Sequence, residues 1–74
     1  MITAERYSRL DRDLAQLGFS LRRGNGILGI YHGASRPAFV LEASARFLGD
    51  VEDACLSLRP ELILQCRAIT ASYL

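Results

Sequence analysis

The chain is predicted to be an α+β domain with an N-terminal helix, a three-stranded antiparallel meander and two C-terminal helices. Three observations carry that expectation. Tyr7, Leu10, Leu14 and Leu17 recur at spacings of three and four, the apolar stripe of an amphipathic helix. Asn25-Gly26 stands between two short apolar runs, the strongest short-range hairpin signal. Two further helical patterns follow the sheet region, divided by Arg59-Pro60.

The first helix has Thr3 as its N-cap and Gly18 as the residue that stops it. Its other face carries Glu5, Arg6, Arg9, Arg12 and Asp13, with Glu5/Arg9 and Arg9/Asp13 spaced for exposed ion pairs. Such a run is expected to be a solvated face before it is a binding surface. Gly18 leads directly into Phe19, so the leucine stripe must fold back over the first strand. With Asn25-Gly26 as a type I′ turn, Gly24 pairs with Ile27, Arg23 with Leu28, Arg22 with Gly29, Leu21 with Ile30 and Phe19 with His32. This pairing collects Phe19, Leu21, Leu28 and Ile30 on one face and Ser20, Arg22, Ile27, Gly29 and Tyr31 on the other. A one-residue slip would expose Leu28 and Ile30, at a cost of roughly 1.5–3 kcal/mol each.

Gly33-Ala34-Ser35-Arg36-Pro37 reads as a loop and Ala38 to Ala43 as the third strand. A four-residue turn over Gly33 to Arg36 would set Phe39 opposite Ile30 and Leu41 opposite Leu28, both toward the core. The outer face would then hold Ile27, Tyr31, Ala38 and Val40 beside Arg22. Gly29, mid-strand, weakens the sheet unless the Arg22 side chain or a partner covers it. Ser44 to Gly49 is a transition whose Phe47 and Leu48 close the end of the core. Asp50 is the expected N-cap of the next helix, with Glu52 and Asp53 in its first turn and Val51, Ala54, Cys55 and Leu58 as its buried stripe. Pro60-Glu61 opens a last helix, in which Leu62, Cys66, Ile69 and Tyr73 share one face. Ile63, Leu64, Ala68, Ala71 and Leu74 leave it little polar surface. It is either sandwiched against the outer sheet face or meets another molecule, a second copy of the chain included.

The 74 residues are expected to form one domain, 1–74, burying only about 60% or slightly more of the unfolded chain's surface. The formal charge is +1, which fits neither a strongly basic nucleic-acid coat nor an acidic DNA mimic. No apolar run approaches the roughly 18 residues of a membrane span, and the Met-Ile-Thr-Ala-Glu-Arg opening lacks a secretory pattern, so a cytoplasmic location is expected. Cys55 and Cys66 fall on buried helix faces and are expected to be reduced, structural thiols. All nine basic residues are arginine, a choice that suits bidentate contacts with carboxylate or phosphate and that codon usage in a GC-rich genome also accounts for.

No catalytic set, metal site or cofactor site is expected. His32 is the single histidine, and its neighbours Ser35, Arg36 and Arg23 make a thin constellation beside the alternative of a partly exposed loop histidine. Gly24-Asn25-Gly26 is a turn with no helix N-terminus behind it to hold a phosphate. Asp50, Glu52 and Asp53 lack the regular oxygen spacing of a calcium loop. Two surface features remain. Arg22, Arg23 and Arg36, with His32, are expected to cluster at the hairpin, where they could meet phosphate or a protein's carboxylates. The outer sheet face, with Ile27, Tyr31, Val40 and Arg22, has the mixture found at interface centres. The expected partner-binding residues are therefore Arg22, Arg23, Ile27, Tyr31, Arg36 and Val40.

The helix, three-strand meander, helix order and the run Leu17-Gly18-Phe19-Ser20-Leu21-Arg22-Arg23 before Gly26 resemble the HicA-type toxins, small mRNA interferases, over residues 8–58. That family carries its catalytic histidine in a Gly-Ser-His step entering the second strand. Here the step is Gly26-Ile27-Leu28, so the resemblance implies the shape without the nuclease, and His32 inherits no role. In kind and size, though without a diagnostic motif, the whole chain also resembles the anti-CRISPR inhibitors of phages and mobile elements, single small domains that act by covering a surface. The expectation that follows is a non-enzymatic inhibitor whose partner is a protein, a subunit of a CRISPR effector complex in the host cytoplasm. The alternative is a small RNA- or DNA-binding protein of the toxin–antitoxin type that uses an arginine-tipped hairpin.

Overall fold

A computed structural model of the chain describes residues 3–73. Its elements are α1 (Ala4–Ala15), β1 (Phe19–Gly24), β2 (Ile27–His32), β3 (Ala38–Leu41), α2 (Phe47–Leu58), a 3-10 turn (Pro60–Leu62) and α3 (Ile63–Ala71). The expected α+β order, with a three-stranded antiparallel meander in the order β1-β2-β3 and two C-terminal helices, is the observed one. No helix among the described residues is long and apolar enough to cross a membrane.

Thr3 caps α1, its hydroxyl accepting from Arg6 N at 3.2 Å. After α1 the chain turns at Gly18 with φ +90, and a Cβ at Gly18 would stand 2.8 Å from His32 Nε2. Both the dihedral and the close approach require glycine there. The β1–β2 hairpin has the predicted register throughout, Phe19↔His32 to Gly24↔Ile27. Its two turn residues, Asn25 (φ 54) and Gly26 (φ 76), both lie in the left-handed region that a type I′ turn demands. Phe19, Leu21, Leu28 and Ile30 are accordingly buried on one face, where Leu10 and Leu14 of α1 and Val51, Ala54 and Cys55 of α2 meet them in a single core.

β3 differs from expectation in register and length. It stops at Leu41, and its partners are Ile27↔Leu41, Leu28↔Val40, Gly29↔Phe39 and Ile30↔Ala38. This is one residue away from the expected pairing, which exchanges the two faces of the strand. Val40 is buried at 5% exposure, whereas Phe39 and Leu41 are each 64% exposed. Val40 is therefore a core residue and not part of the outer surface, and Ala38 also lies on the inner face.

Two interactions accompany the observed register and would be lost in the other. The inner parity that takes Val40 also takes Glu42, 4% exposed, whose carboxylate meets Arg23 Nε at 2.5 Å. The Glu42 N–H donates to Gly26 O at 2.9 Å, tying β3 to the hairpin turn. The other register would turn Glu42 out and leave Arg23, on the inner face of β1, without that carboxylate. Small side chains at positions 38 and 40 also let α2 lie close to the strand.

The start of α2 is earlier than expected. Ser44 nucleates it, its carbonyl accepting from Phe47 N at 3.1 Å and its hydroxyl from Arg46 N at 3.1 Å. Asp50 thus belongs to the first helical turn and is not the N-cap. Pro60 opens the 3-10 turn, from which α3 runs back toward α1. Tyr73 fixes that return: its hydroxyl donates to Asp13 Oδ2 at 3.2 Å, and Arg6 Nη2 donates to its carbonyl at 2.5 Å. The Arg6 and Arg9 guanidinium carbons stand 5.5 and 4.7 Å from the centre of its ring. The charged face of α1, expected to be solvated, is partly a clamp for this tyrosine.

The register distinguishes two substitutions that the expected pairing would rank the other way. Leu41→Ser should change the free energy of unfolding in urea by no more than about 0.5 kcal/mol, whereas Val40→Ala should lower it by about 1–3 kcal/mol.

Candidate functional site

All helices pack on one side of the sheet. The outer side, which the last helix was one candidate to cover, is open: Ile27, Phe39 and Leu41 are exposed there, and α3 instead lies against α2 and α1. Alternation along the three strands brings Arg22 of β1, Ile27, Gly29 and Tyr31 of β2, and Phe39 and Leu41 of β3 to this one face. Phe39 and Leu41 are members that sequence reasoning missed. The signal for them lay in the parity of β3, which a loop of undetermined pairing did not fix.

The centre of the face is Gly29. A Cβ there would stand 2.9 Å from Tyr31 Cε1 and 3.3 Å from Phe39 Cε1, so two aromatic rings lie across the bare backbone. They meet edge to face, 6.5 Å between centroids at 85°. The Arg22 guanidinium carbon stands 5.4 Å from the Tyr31 ring centre. The rings, and not the arginine alone, thus supply the cover that Gly29 was expected to need. The result is a shallow depression lined by Arg22, Arg23, Gly24, Asn25, Ile27, Gly29, Tyr31 and Phe39, an aromatic and aliphatic surface with two arginines at the hairpin end and no carboxylate.

The arginine cluster expected at the hairpin does not form. Successive turns of an antiparallel meander lie at opposite ends of the sheet. Arg22 and Arg23 stand by the Asn25-Gly26 turn, while His32 and Arg36 stand at the β2–β3 loop, roughly 13 Å along the strand at 3.3 Å per residue. Arg23 is also committed. Besides Glu42 it has the Tyr7 ring, 5.1 Å from its guanidinium carbon to the ring centre, on the inner side of the hairpin tip. Tyr7 in turn donates to Leu21 O at 3.4 Å, and its hydroxyl pKa is raised by burial first and then by the Asp11 charge. Of the expected set, Arg22, Ile27 and Tyr31 remain together on the outer face. Arg23 borders the same depression while pairing with Glu42, Val40 is in the core, and Arg36 is exposed at the other end.

His32 is held on several sides and is not a loose loop residue. Its ring packs on Phe19 at 4.8 Å and 73°, and Nε2 lies 3.1 Å from Leu17 O. The Nε2–H tautomer satisfies that carbonyl. Arg59 Nη1 lies 3.3 and 3.2 Å from Nδ1 and Nε2, near-equal distances that place the guanidinium over the ring. Arg59 pairs with Glu61, whose carboxyl pKa is lowered chiefly by that hydrogen bond. The histidine therefore joins the end of α1, the end of β2 and the α2–α3 corner.

Cys55 and Cys66 are free and buried, facing one another across α2 and α3. Burial pushes the Cys55 thiol up to about 12 and also raises that of Cys66. Neither has the lowered pKa of a nucleophilic cysteine. Among the described residues no group of three or more His, Cys, Asp or Glu is placed to hold a metal ion. No protein-family model, curated protein or solved structure matches the chain.

Two measurements follow. Glu42→Gln removes the anion from the Arg23 pair, and because Arg23 is partly hydrated the loss of stability in urea should be about 1–3 kcal/mol. The Cys55 thiol ionises near 9.0 when unfolded but holds its proton to about 12 when folded, so above pH 9 the folded state binds more protons and stability falls as pH rises. Tyr7 and Tyr73, both raised from 10.0, add to the fall. Urea midpoints should decline between these pH values, and less steeply in Cys55→Ala.

Proposed function

We propose that this chain is a non-enzymatic protein-binding module that acts in the host cytoplasm by occluding a surface of a larger partner. Within that class we propose an inhibitor of the anti-CRISPR type, directed at a subunit of a bacterial CRISPR effector complex. The observation that carries the first part is the open outer sheet face, where Ile27, Tyr31, Phe39 and Leu41 share a surface with Arg22, whose guanidinium stands by the Tyr31 ring. Exposed aromatic and aliphatic side chains with an arginine among them are the composition of interface centres. Rings already held against Gly29 lose little freedom on binding, which favours affinity. The narrower assignment is supported by the small size of the chain and by the resemblance drawn from its sequence.

A nucleic-acid reading draws on the same face, since Tyr31 and Phe39 could stack with bases beside Arg22. It is disfavoured by the engagement of Arg23 with Glu42 and by the separation of Arg36 from the hairpin.

Target-DNA binding by purified CRISPR effector complexes tests the proposal. The wild-type chain should suppress it, and Tyr31→Ala and Arg22→Glu, with unaltered circular dichroism, should each weaken the suppression roughly tenfold. Equal suppression by both variants would remove the outer face as the contact. Failure to affect any effector complex, together with direct retention of RNA or DNA that declines steeply with salt, would establish the nucleic-acid reading instead.

A further inference from the structure

β3 is an edge strand whose backbone pairs with β2 alone. The hairpin determines which of its groups are free. In a type I′ hairpin Gly24 and Ile27 exchange the closing hydrogen bonds, so Ile27, Gly29 and Tyr31 direct their main-chain groups at β1. Leu28 and Ile30 direct theirs at β3, where their partners are Val40 and Ala38. The bond from Glu42 N to Gly26 O continues the same alternation. Phe39 and Leu41 therefore aim their N–H and C=O groups away from the sheet. Leu41 O accepts from Ser44 N at 3.3 Å, which leaves both N–H groups and the Phe39 carbonyl along the edge.

Natural edges are blunted by charges, by a proline or bulge within the strand, or by a covering element. Ala38-Phe39-Val40-Leu41 has no charge or proline, and its pairing runs without a bulge. A groove follows this edge between β3 and α2. Ala38 to Leu41 form one wall, and Asp50 and Asp53 of α2 stand on the other. No β2 residue lines it, which places it on the free side of β3. Among the described residues neither carboxylate has an ion pair or a hydrogen bond from a side chain.

We infer that β3 accepts, as a fourth antiparallel or parallel strand, an extended segment of a partner protein in which apolar and basic residues alternate. The inference rests on the reading of the chain as a protein-binding module and names the chemistry of one partner segment. Main-chain bonds to Phe39 and Leu41 would hold the added strand. Its outward side chains would extend the apolar face beside Phe39 and Leu41, and its inward ones would place arginine or lysine against Asp50 and Asp53. A second copy of this chain does not meet the requirement. Two-fold pairing of β3 with itself would bring Asp50 and Asp53 of both copies to the same side of the joined sheet, like charges facing across the new ladder.

The test uses a short, capped, fluorescein-labelled peptide of alternating valine and arginine, and a matching peptide of valine and glutamate. Fluorescence anisotropy should report binding of the first only, with amide NMR shifts centred on Phe39 and Leu41. Asp50→Arg/Asp53→Arg should lower its affinity roughly tenfold or more and gain the valine–glutamate peptide. Phe39→Pro, which removes an outward N–H while leaving the Leu28–Val40 bonds, should abolish binding with the fold retained by circular dichroism. Equal affinity for both peptides, shifts centred elsewhere, or concentration-dependent dimerisation that Phe39→Pro abolishes would each overturn the inference. Tyr31→Ala and Arg22→Glu should keep peptide binding. Failure of those two variants to relieve effector inhibition, with the peptide results intact, would count against the outer face alone.

Discussion

The architecture depends on the two-residue turn at Asn25-Gly26. Its pair of left-handed dihedrals admits one strand pairing, and that pairing decides which side chains of β1 and β2 face the helices. Once Phe19, Leu21, Leu28 and Ile30 are on one side, the leucine stripe of α1 and the Val51, Ala54 and Cys55 stripe of α2 have a single apolar surface to cover. Both helices are drawn to that side, and the opposite face is left to Arg22, Ile27, Gly29 and Tyr31. The open face thus follows from the same constraint that makes the core.

What could be seen in the sequence was what short-range stereochemistry settles. The helix cap at Thr3, the stop at Gly18 and every pair of the first hairpin depend on residues within a turn of one another, and they appear where the residue types put them. The third strand was different, because Gly33 to Pro37 contains no turn motif that fixes a pairing. Hydrophobic parity was then the remaining guide, and it favoured Phe39 and Leu41 inside. The observed pairing goes instead with a contact between distant residues, Arg23 with Glu42, which parity arguments on apolar residues do not register. The same long-range character hid the placement of Arg23, Arg36 and His32. Each was identified as a chemically capable residue, but only the topology separated them and assigned two of the three to structural contacts.

The distribution of polar groups reinforces the division between the two sides of the sheet. On the inner side the charges are paired or capped, and among the described residues no buried side-chain nitrogen or oxygen lacks a partner. At the other margin, Tyr73 is held by Arg6, Arg9 and Asp13, and His32 by Leu17 and Arg59. Around the outer face and the β3 edge the pattern reverses. Large apolar side chains are exposed there, and the free main-chain groups of β3 border a groove that also holds the carboxylates of Asp50 and Asp53.

The loop between β2 and β3 acts as a length gauge. Side chains alternate with a period of two, so one codon gained or lost between Gly33 and Pro37 would transpose the whole strand. Phe39 and Leu41 would be driven into space shaped for alanine and valine, and the Glu42 carboxylate would be expelled from its arginine. Apart from Gly33, whose φ of 57 favours glycine, a change of residue type in this segment leaves the parity of β3 alone while a change of length inverts it, an asymmetry that a loop serving only as a connector would not display.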